Sequence, residues 1–167
     1  MTLPKADRYI LGISGGKDST ALAVYMSDNY PHLNIEYFFT DTGEELPEVY
    51  DYLTKLEGRL KSGIHRLNSE HIVKQSNGKH KGPFEIYLEK YNYFLPSPQQ
   101  RWCTSKLKIL PLEKWIRPDL EKGKTIVSLV AIRADEPYRE GQRSKHENYI
   151  VDLPFRRDGI NRKGVVD

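Results

Sequence analysis

The feature that most narrows the folds open to this chain is Ser14-Gly15-Gly16-Lys17-Asp18-Ser19. It lies between a short apolar run, Tyr9-Ile10-Leu11-Gly12-Ile13, and a stretch holding Ala21, Leu22, Val24, Tyr25 and Met26. The run reads as a buried strand and the stretch as a helix whose start Asp18 or Ser19 can cap. Two adjacent glycines allow backbone angles that other residues avoid and let the chain approach a ligand closely. The first N–H groups of a helix and its positive dipole end attract an anion. Hydroxyls on Ser14 and Ser19 and the ammonium of Lys17 add donors and charge, so the loop suits phosphate. The spacing matches neither Gly-x-x-x-x-Gly-Lys-Ser/Thr nor Gly-x-Gly-x-x-Gly, and its shortness suits a pyrophosphate lying low over the helix. An ordinary capped glycine turn is the competing reading. The agreement of strand, turn, lysine and helix argues against it.

The alternation continues. Ile35-Glu36-Tyr37-Phe38-Phe39-Thr40 reads as a second strand, punctuated by Asp41-Thr42-Gly43. Pro47 suits the first turn of a helix carrying Val49, Tyr50, Leu53, Leu56 and Leu60. Residues 64–67 read as a short third strand, the later half of 68–82 as a polar loop, and 84–93 as a helix ended by Pro96-Ser97-Pro98. Residues 101–117 read as a helix broken near Pro111, residues 125–132 as the strongest late strand, and 135–148 as a charged loop or lid. Residues 149–155 read as an edge segment, because Pro154 cannot donate to a central ladder. Strands alternating with helices predict an α/β fold with a mostly parallel central sheet and helices on both faces. Ligands of such sheets bind at the carboxyl ends of the strands. The expectation is a single domain over 1–167, with 135–167 a basic lid or tail. The closing residues, Gly159 to Asp167, look like the opening of a helix, so the chain reads as C-terminally truncated or as a short form.

With 167 residues, 38% hydrophobic and 29% charged, the chain has the composition of one soluble domain. No apolar stretch approaches the ~20 residues of a membrane span, and the N-terminus lacks an apolar signal core, which points to the cytoplasm. Residues 1–98 hold 11 Lys/Arg against 13 Asp/Glu, whereas residues 99–167 hold 15 against 10. The C-terminal part is therefore the side expected to meet a polyanion. Lys74, Lys79, His80 and Lys81 read as a solvated loop, or as a nucleic-acid contact. Arg156-Arg157-Asp158 reads equally as a phosphate contact or a surface ion pair. Tyr87, Tyr91, Tyr93 and Phe94 read as helix packing, with a base-stacking surface as the alternative. The lone Cys103 makes no internal disulfide and supplies no metal cage by itself. His32, His65, His71, His80 and His146 show no triad or metal spacing and are assigned to surface or packing.

These residues resemble a known family. Ser14-Gly15-Gly16-Lys17-Asp18-Ser19 matches the pyrophosphate (PP) loop of the adenine nucleotide alpha-hydrolase superfamily, a Rossmann-like group. Residues 39–50, beginning Phe39-Thr40-Asp41-Thr42-Gly43, look like the second motif of the phosphoadenosine phosphosulfate (PAPS) reductase family. Residues 101–108 with Pro111 resemble its Arg-x-Cys and Leu-Lys segment, and Ile132-Arg133-Ala134-Asp135-Glu136 with Arg139 or Arg143 resembles its late arginine motif. The resemblance implies that Ser14, Gly15, Gly16, Lys17, Asp18 and Ser19 hold phosphates of ATP or an adenylyl sulfate. It places Asp41 and Thr42 near the ribose or base, and converges Arg101, Lys106, Lys108 and Arg133 on the remaining anionic groups. Lys17, Asp18 and Arg133 are the implied catalytic residues, with Asp18 orienting a bridging Mg²⁺. Cys103 would ligate an iron–sulfur cluster only if further cysteines exist, as in DNA phosphorothioation relatives; a partly buried packing residue is the simpler reading.

The implied function is an ATP pyrophosphatase of sulfur metabolism that cleaves the α–β phosphate bond and adenylylates an acceptor for sulfur transfer. A nucleic-acid phosphodiester would suit the basic C-terminal part as acceptor, with a sulfur-carrier or thiol-donor protein as partner. Two alternatives stand beside it: a sulfonucleotide reductase using an external thiol, since no cysteine follows Cys103, and a nucleotide-binding module without turnover.

Overall fold

The computed structural model describes residues 3–69, 81–141 and 146–166. The chain opens with β1 (Arg8–Gly12), α1 (Lys17–Asn29), β2 (Ile35–Thr40), α2 (Pro47–Leu60) and β3 (Ile64–Leu67). Next come α3 (Pro83–Lys90) and a π-helical segment (Cys103–Ile109) running directly into α4 (Leu110–Glu121). It closes with β4 (Ile126–Leu129), β5 (Tyr149–Asp152), and the short helices α5 (Pro154–Arg157) and α6 (Arg162–Val166). The sheet has five strands in the order β3-β2-β1-β4-β5. Every neighbouring pair is parallel, with Leu11 set beside both Tyr37 and Leu129. From β1 the chain first winds outward through β2 and β3, then returns to β1's other side for β4 and β5. The order therefore reverses between β1 and β4, the position where a parallel sheet leaves a crevice at its carboxyl end. The glycine loop follows β1 and so lies at that crevice.

Both faces of the sheet are covered. Leu11, Tyr37, Phe39, Val127 and Leu129 pack on one face against Leu22 and Met26 of α1, Leu53, Leu56 and Leu60 of α2, and Phe155. On the other, Ile10, Phe38 and Ile126 pack against Leu112, Ile116 and Leu120 of α4. Burial on two sides is why all four residues of β4 are buried and why the strand shows no alternation. A satellite cluster joins α3 to the π-helical segment through Tyr87, Trp102 and Leu107. Tyr91 stacks on Trp102 with ring centroids 5.3 Å apart, and Trp102 Nε1 donates to Phe94 O at 3.0 Å.

Several local expectations change. The helix is not interrupted at Pro111, but it changes from π-helical to α-helical between Ile109 and Leu110, just before this proline, whose missing N–H leaves one bond of the ladder unmade. The late strand is shorter than 125–132: β4 ends at Leu129, and Val130 N then donates to Asp152 O at 3.0 Å. Tyr149–Asp152 is the edge strand, and Pro154 opens α5. Within the 135–167 segment, residues 149–155 are thus part of the sheet and core, with Phe155 only 1% exposed. The aromatic set divides: Tyr87 and Tyr91 pack on Trp102, while Tyr93 and Phe94 are exposed. Lys74, Lys79, His71, His80 and Arg143 lie outside the described residues. Among the described residues, no helix is long and apolar enough to cross a membrane.

Candidate nucleotide site

The site begins where β1 ends. Ile13 N donates to Phe38 O at 2.7 Å, extending the pairing one residue past the strand. The chain then turns through Gly15, whose φ of 75° is open to glycine at little cost. A Cβ there would lie 3.0 Å from Val49 Cγ1, so α2 is seated directly against the loop and the second motif is brought beside the first. Gly16 is the N-cap of α1, and no side chain caps it. The orphan N–H groups of that first turn are thus left without the usual side-chain acceptor, the condition for anion binding.

The two serines hold the loop in shape. Ser14 N donates to Ser19 Oγ at 3.1 Å, Ser19 Oγ donates to Gly16 O at 3.1 Å, and the two hydroxyls are 3.0 Å apart. Ser19 is buried, and this internal bonding makes it a strut of the loop. Thr20 Oγ1 also donates to Gly16 O, and Tyr52 on α2 donates to Thr20 Oγ1 at 2.7 Å, a second tie between α2 and the loop.

A cleft of about 720 Å³ opens over the carboxyl ends of β1, β2 and β4. Gly16, Lys17 and Asp18 form one wall, and Arg101, Thr104 and Lys108 from the π-helical region form the facing one. Its inner surface is apolar, with Phe38, Ile109 and Leu112, and carries two hydroxyl residues, Ser128 and Tyr149. Gly12 makes this depth available: a Cβ on it would lie 3.0 Å from Phe38 Cζ. Burial pushes the Tyr149 phenol above its ordinary value, with Ser128 acting in the opposite direction.

Of the residues singled out from the sequence, Ser14, Gly16, Lys17, Asp18, Ser19, Arg101 and Lys108 come together on this cleft; Gly15, Lys106, Asp41, Thr42 and Arg133 are not on its wall. Asp41 Oδ1 accepts hydrogen bonds from Tyr50 at 2.8 Å and from Gly43 N at 2.9 Å. Burial, and then this bond, push Tyr50 up to about 12. Thr42 is buried and donates to Glu45 at 3.2 Å. Thr104, Ser128, Phe38 and Tyr149 were not anticipated. Ser128 had a readable signal, a polar residue inside the apolar run Ile126-Val127-Ser128-Leu129; Thr104 had none.

Arg133 sits among carboxylates. Its Nη1 donates to Asp18 Oδ2 at 2.7 Å and its Nε to Asp135 Oδ1 at 3.0 Å, while Nη2 lies 3.6 Å from Glu136 Oε1. These partners, Asp135 foremost, raise the guanidinium further above its ordinary value. Glu136 Oε1 also accepts from Arg139 Nη1 at 3.1 Å, and Arg139 reaches the cleft wall. Asp18 Oδ1 is buried and has no hydrogen-bond partner.

The phosphate reading of Arg156-Arg157-Asp158 does not survive. Arg156 donates from Nη2 to the carbonyls of Glu136 and Arg139, its buried Nε having no partner, and Arg157 pairs with Asp152 at 2.5 Å and Asp158 at 3.3 Å, so both guanidinia are turned into the fold. Cys103 is half-buried and packs beside Tyr87, Trp102 and Leu107. Among the described residues, no group of three or more His, Cys, Asp or Glu side chains is arranged to hold a metal ion. A divalent cation is nonetheless commonly held by one carboxylate together with substrate phosphates, and Asp18, whose Oδ1 is unpartnered while Oδ2 pairs with Arg133, fits that partial role.

A parallel α/β sheet with an uncapped glycine turn at its switch point, sharing one cleft with Arg101 and Lys108, is of the α/β class whose ligands sit at the carboxyl ends of the strands. Residues 8–152 match the family model described as the phosphoadenosine phosphosulfate reductase domain, and the chain belongs to that family. It is 27% identical over 144 residues to an uncharacterised protein of Methanocaldococcus jannaschii, an alignment covering 85% of this chain and 26% of the relative. A second uncharacterised protein of the same organism is 33% identical over 107 residues, covering 62% and 21%. The chain thus spans about a quarter of the first relative and a fifth of the second. In fold it is similar to PAPS reductase from Candida auris, solved as a phosphate complex, with a TM-score of 0.64 at 16% identity, covering 99% of this chain and 71% of that one.

Proposed function

We propose that the cleft binds ATP or an adenylyl sulfate and that, with ATP, the domain cleaves the bond between the α and β phosphates to adenylylate an acceptor for sulfur transfer. The observation that carries this reading is the uncapped start of α1 with Lys17, set across one cleft from Arg101 and Lys108. An anionic oxygen of the acceptor attacks the α phosphorus, the bond to the bridging oxygen breaks, and pyrophosphate leaves with the electron pair; the oxyanion has no proton to lose. Such displacement asks for in-line positioning and charge stabilisation more than for covalent help. Gly15, Gly16 and the first N–H groups of α1 cradle the pyrophosphate, and Lys17 neutralises the charge it develops. Arg101 and Lys108 hold the other anionic groups, and the apolar inner surface takes the base. Mg²⁺, when bound with the nucleotide, would supply Lewis-acid neutralisation of the phosphate oxygens, with Asp18 as its protein ligand. The setting is cytoplasmic. The acceptor is a nucleic-acid phosphodiester or another oxyanion, and a separate carrier or thiol protein supplies the sulfur or the electrons.

The test is incubation with α-labelled ATP and candidate acceptors, scoring AMP, pyrophosphate and adenylylated product. Lys17→Ala removes a charge-assisted contact and is expected to weaken ATP binding about 10- to 100-fold and to abolish all three products. Undiminished pyrophosphate formation in that variant refutes the site. The family match and the phosphate-bound C. auris reductase favour a second reading, sulfonucleotide reduction with an external thiol. Sulfite released from PAPS and thioredoxin, with no pyrophosphate from ATP, selects it. Nucleotide-dependent thermal stabilisation without either product selects a binding module.

A further inference from the structure

We propose that Arg133 is a positioning residue that neutralises Asp18 and ties the glycine loop to the 133–139 turn, and that it does not bind the nucleotide's phosphates itself. The inference rests on the nucleotide reading above and refines it. Asp18 projects from the first turn of α1 onto the wall where Lys17 and the free N–H groups must attract an anion. An unneutralised carboxylate there opposes that attraction. Arg133 Nη1 meets Asp18 Oδ2 at 2.7 Å, and this pair spans 115 residues of sequence. The same guanidinium is committed to Asp135 and lies beside Glu136, so a phosphate approaching it would meet three carboxylates first. Its side chain is only 15% exposed and is absent from the cleft wall.

The network has a second consequence. Glu136 is shared between Arg133 and Arg139. Arg133 N also donates to Glu136 Oε2 at 3.2 Å, closing the turn, and Arg156 braces the same turn by donating to the Glu136 and Arg139 carbonyls. Asp18 and Arg139, both on the cleft, are thereby joined through Arg133 and Glu136. Arg133 thus offsets the charge of one cleft residue and fixes the place of another without touching the ligand.

The test is a double-mutant cycle of Arg133→Gln and Asp18→Asn, read by calorimetric titration of ATP and of adenosine in the absence of divalent cations. Arg133→Gln alone is expected to weaken ATP binding about tenfold and to leave adenosine binding within about twofold, because only the phosphates feel the bared carboxylate. In the Asp18→Asn background the same substitution is expected to change ATP binding by less than about twofold. A tenfold loss that persists in that background means Arg133 meets the phosphates directly and overturns the proposal. Equal losses for ATP and adenosine mean a collapsed site and overturn it as well. If the parent protein binds neither ATP nor adenylyl sulfate, the nucleotide reading fails separately. Thermal melts of the same four proteins then decide whether the tie exists: coupling of about 2 °C or more supports it, and additive shifts refute it.

Discussion

Gly15→Ala is expected to destabilise the protein through two separable effects. The left-handed φ of 75° costs an L-residue about 1–2 kcal/mol. The new methyl would lie 3.0 Å from Val49 Cγ1, so Val49 and the start of α2 must give by a few tenths of an ångström, and crowding of this kind costs ~1–3 kcal/mol. Alanine's smaller unfolded-state freedom returns about 0.4–1 kcal/mol. The net loss is about 2 kcal/mol, which for a domain of this size lowers Tm by about 4–8 °C. Circular-dichroism melts and urea titrations measure it, with Gly58→Ala as the matched control. Gly58 lies inside α2 with nothing within 4 Å of an added Cβ, so that substitution should stabilise by about 0.5–1 kcal/mol. Adding Val49→Ala to Gly15→Ala relieves the crowding but not the backbone strain, giving a favourable coupling of about 1 kcal/mol. If Gly15→Ala melts within about 1 °C of the parent, the loop does not hold the geometry described and the argument for its phosphate cradle falls with it.

Tyr25 and Tyr50, each donating to a carboxylate at 2.8 Å, are both pushed up to about 12, first by burial and then by that bond. A pKa raised on folding contributes stability that is whole below the ordinary tyrosine value of about 10 and is lost as pH rises toward the folded value. Tyr50→Phe should flatten the fall in stability between pH ~10 and ~12, and an unchanged slope in alkaline urea titrations contradicts the assignment. Arg157→Gln takes from the Asp152 carboxylate its charged partner in a site where the arginine side chain is only 7% exposed. The expected cost is about 3 kcal/mol, or roughly 6–12 °C in Tm; a shift under about 2 °C shows the pair to be solvated.

Local order was the legible part. Ile10, Leu11, Phe38, Phe39, Leu53 and Leu56 announce their elements because strand and helix periods depend on neighbours within a few residues, and strands bridged by helices leave a parallel sheet as the simplest solution. The glycine loop was legible for the same reason, since its donors belong to consecutive residues. The charges were only half legible. Arg101 and Lys108 reach the cleft as a surplus of C-terminal cations suggested, yet Arg133, Arg156 and Arg157 look identical in sequence and are engaged elsewhere. Asp18, Asp152 and the carbonyls of Glu136 and Arg139 hold them.

The sequence by itself therefore determined that a buried strand runs into a glycine turn and a helix, because that depends on backbone conformation over six contiguous residues; that the helix starts at an uncapped Gly16, with neither Asp18 nor Ser19 as its cap, is what the structure adds. Only the tertiary structure decided which cations face the opening. A guanidinium is drawn to whichever carboxylate or carbonyl the fold brings within reach, and Asp18 and Arg133, 115 positions apart, meet only after β4 has come back to lie beside β1.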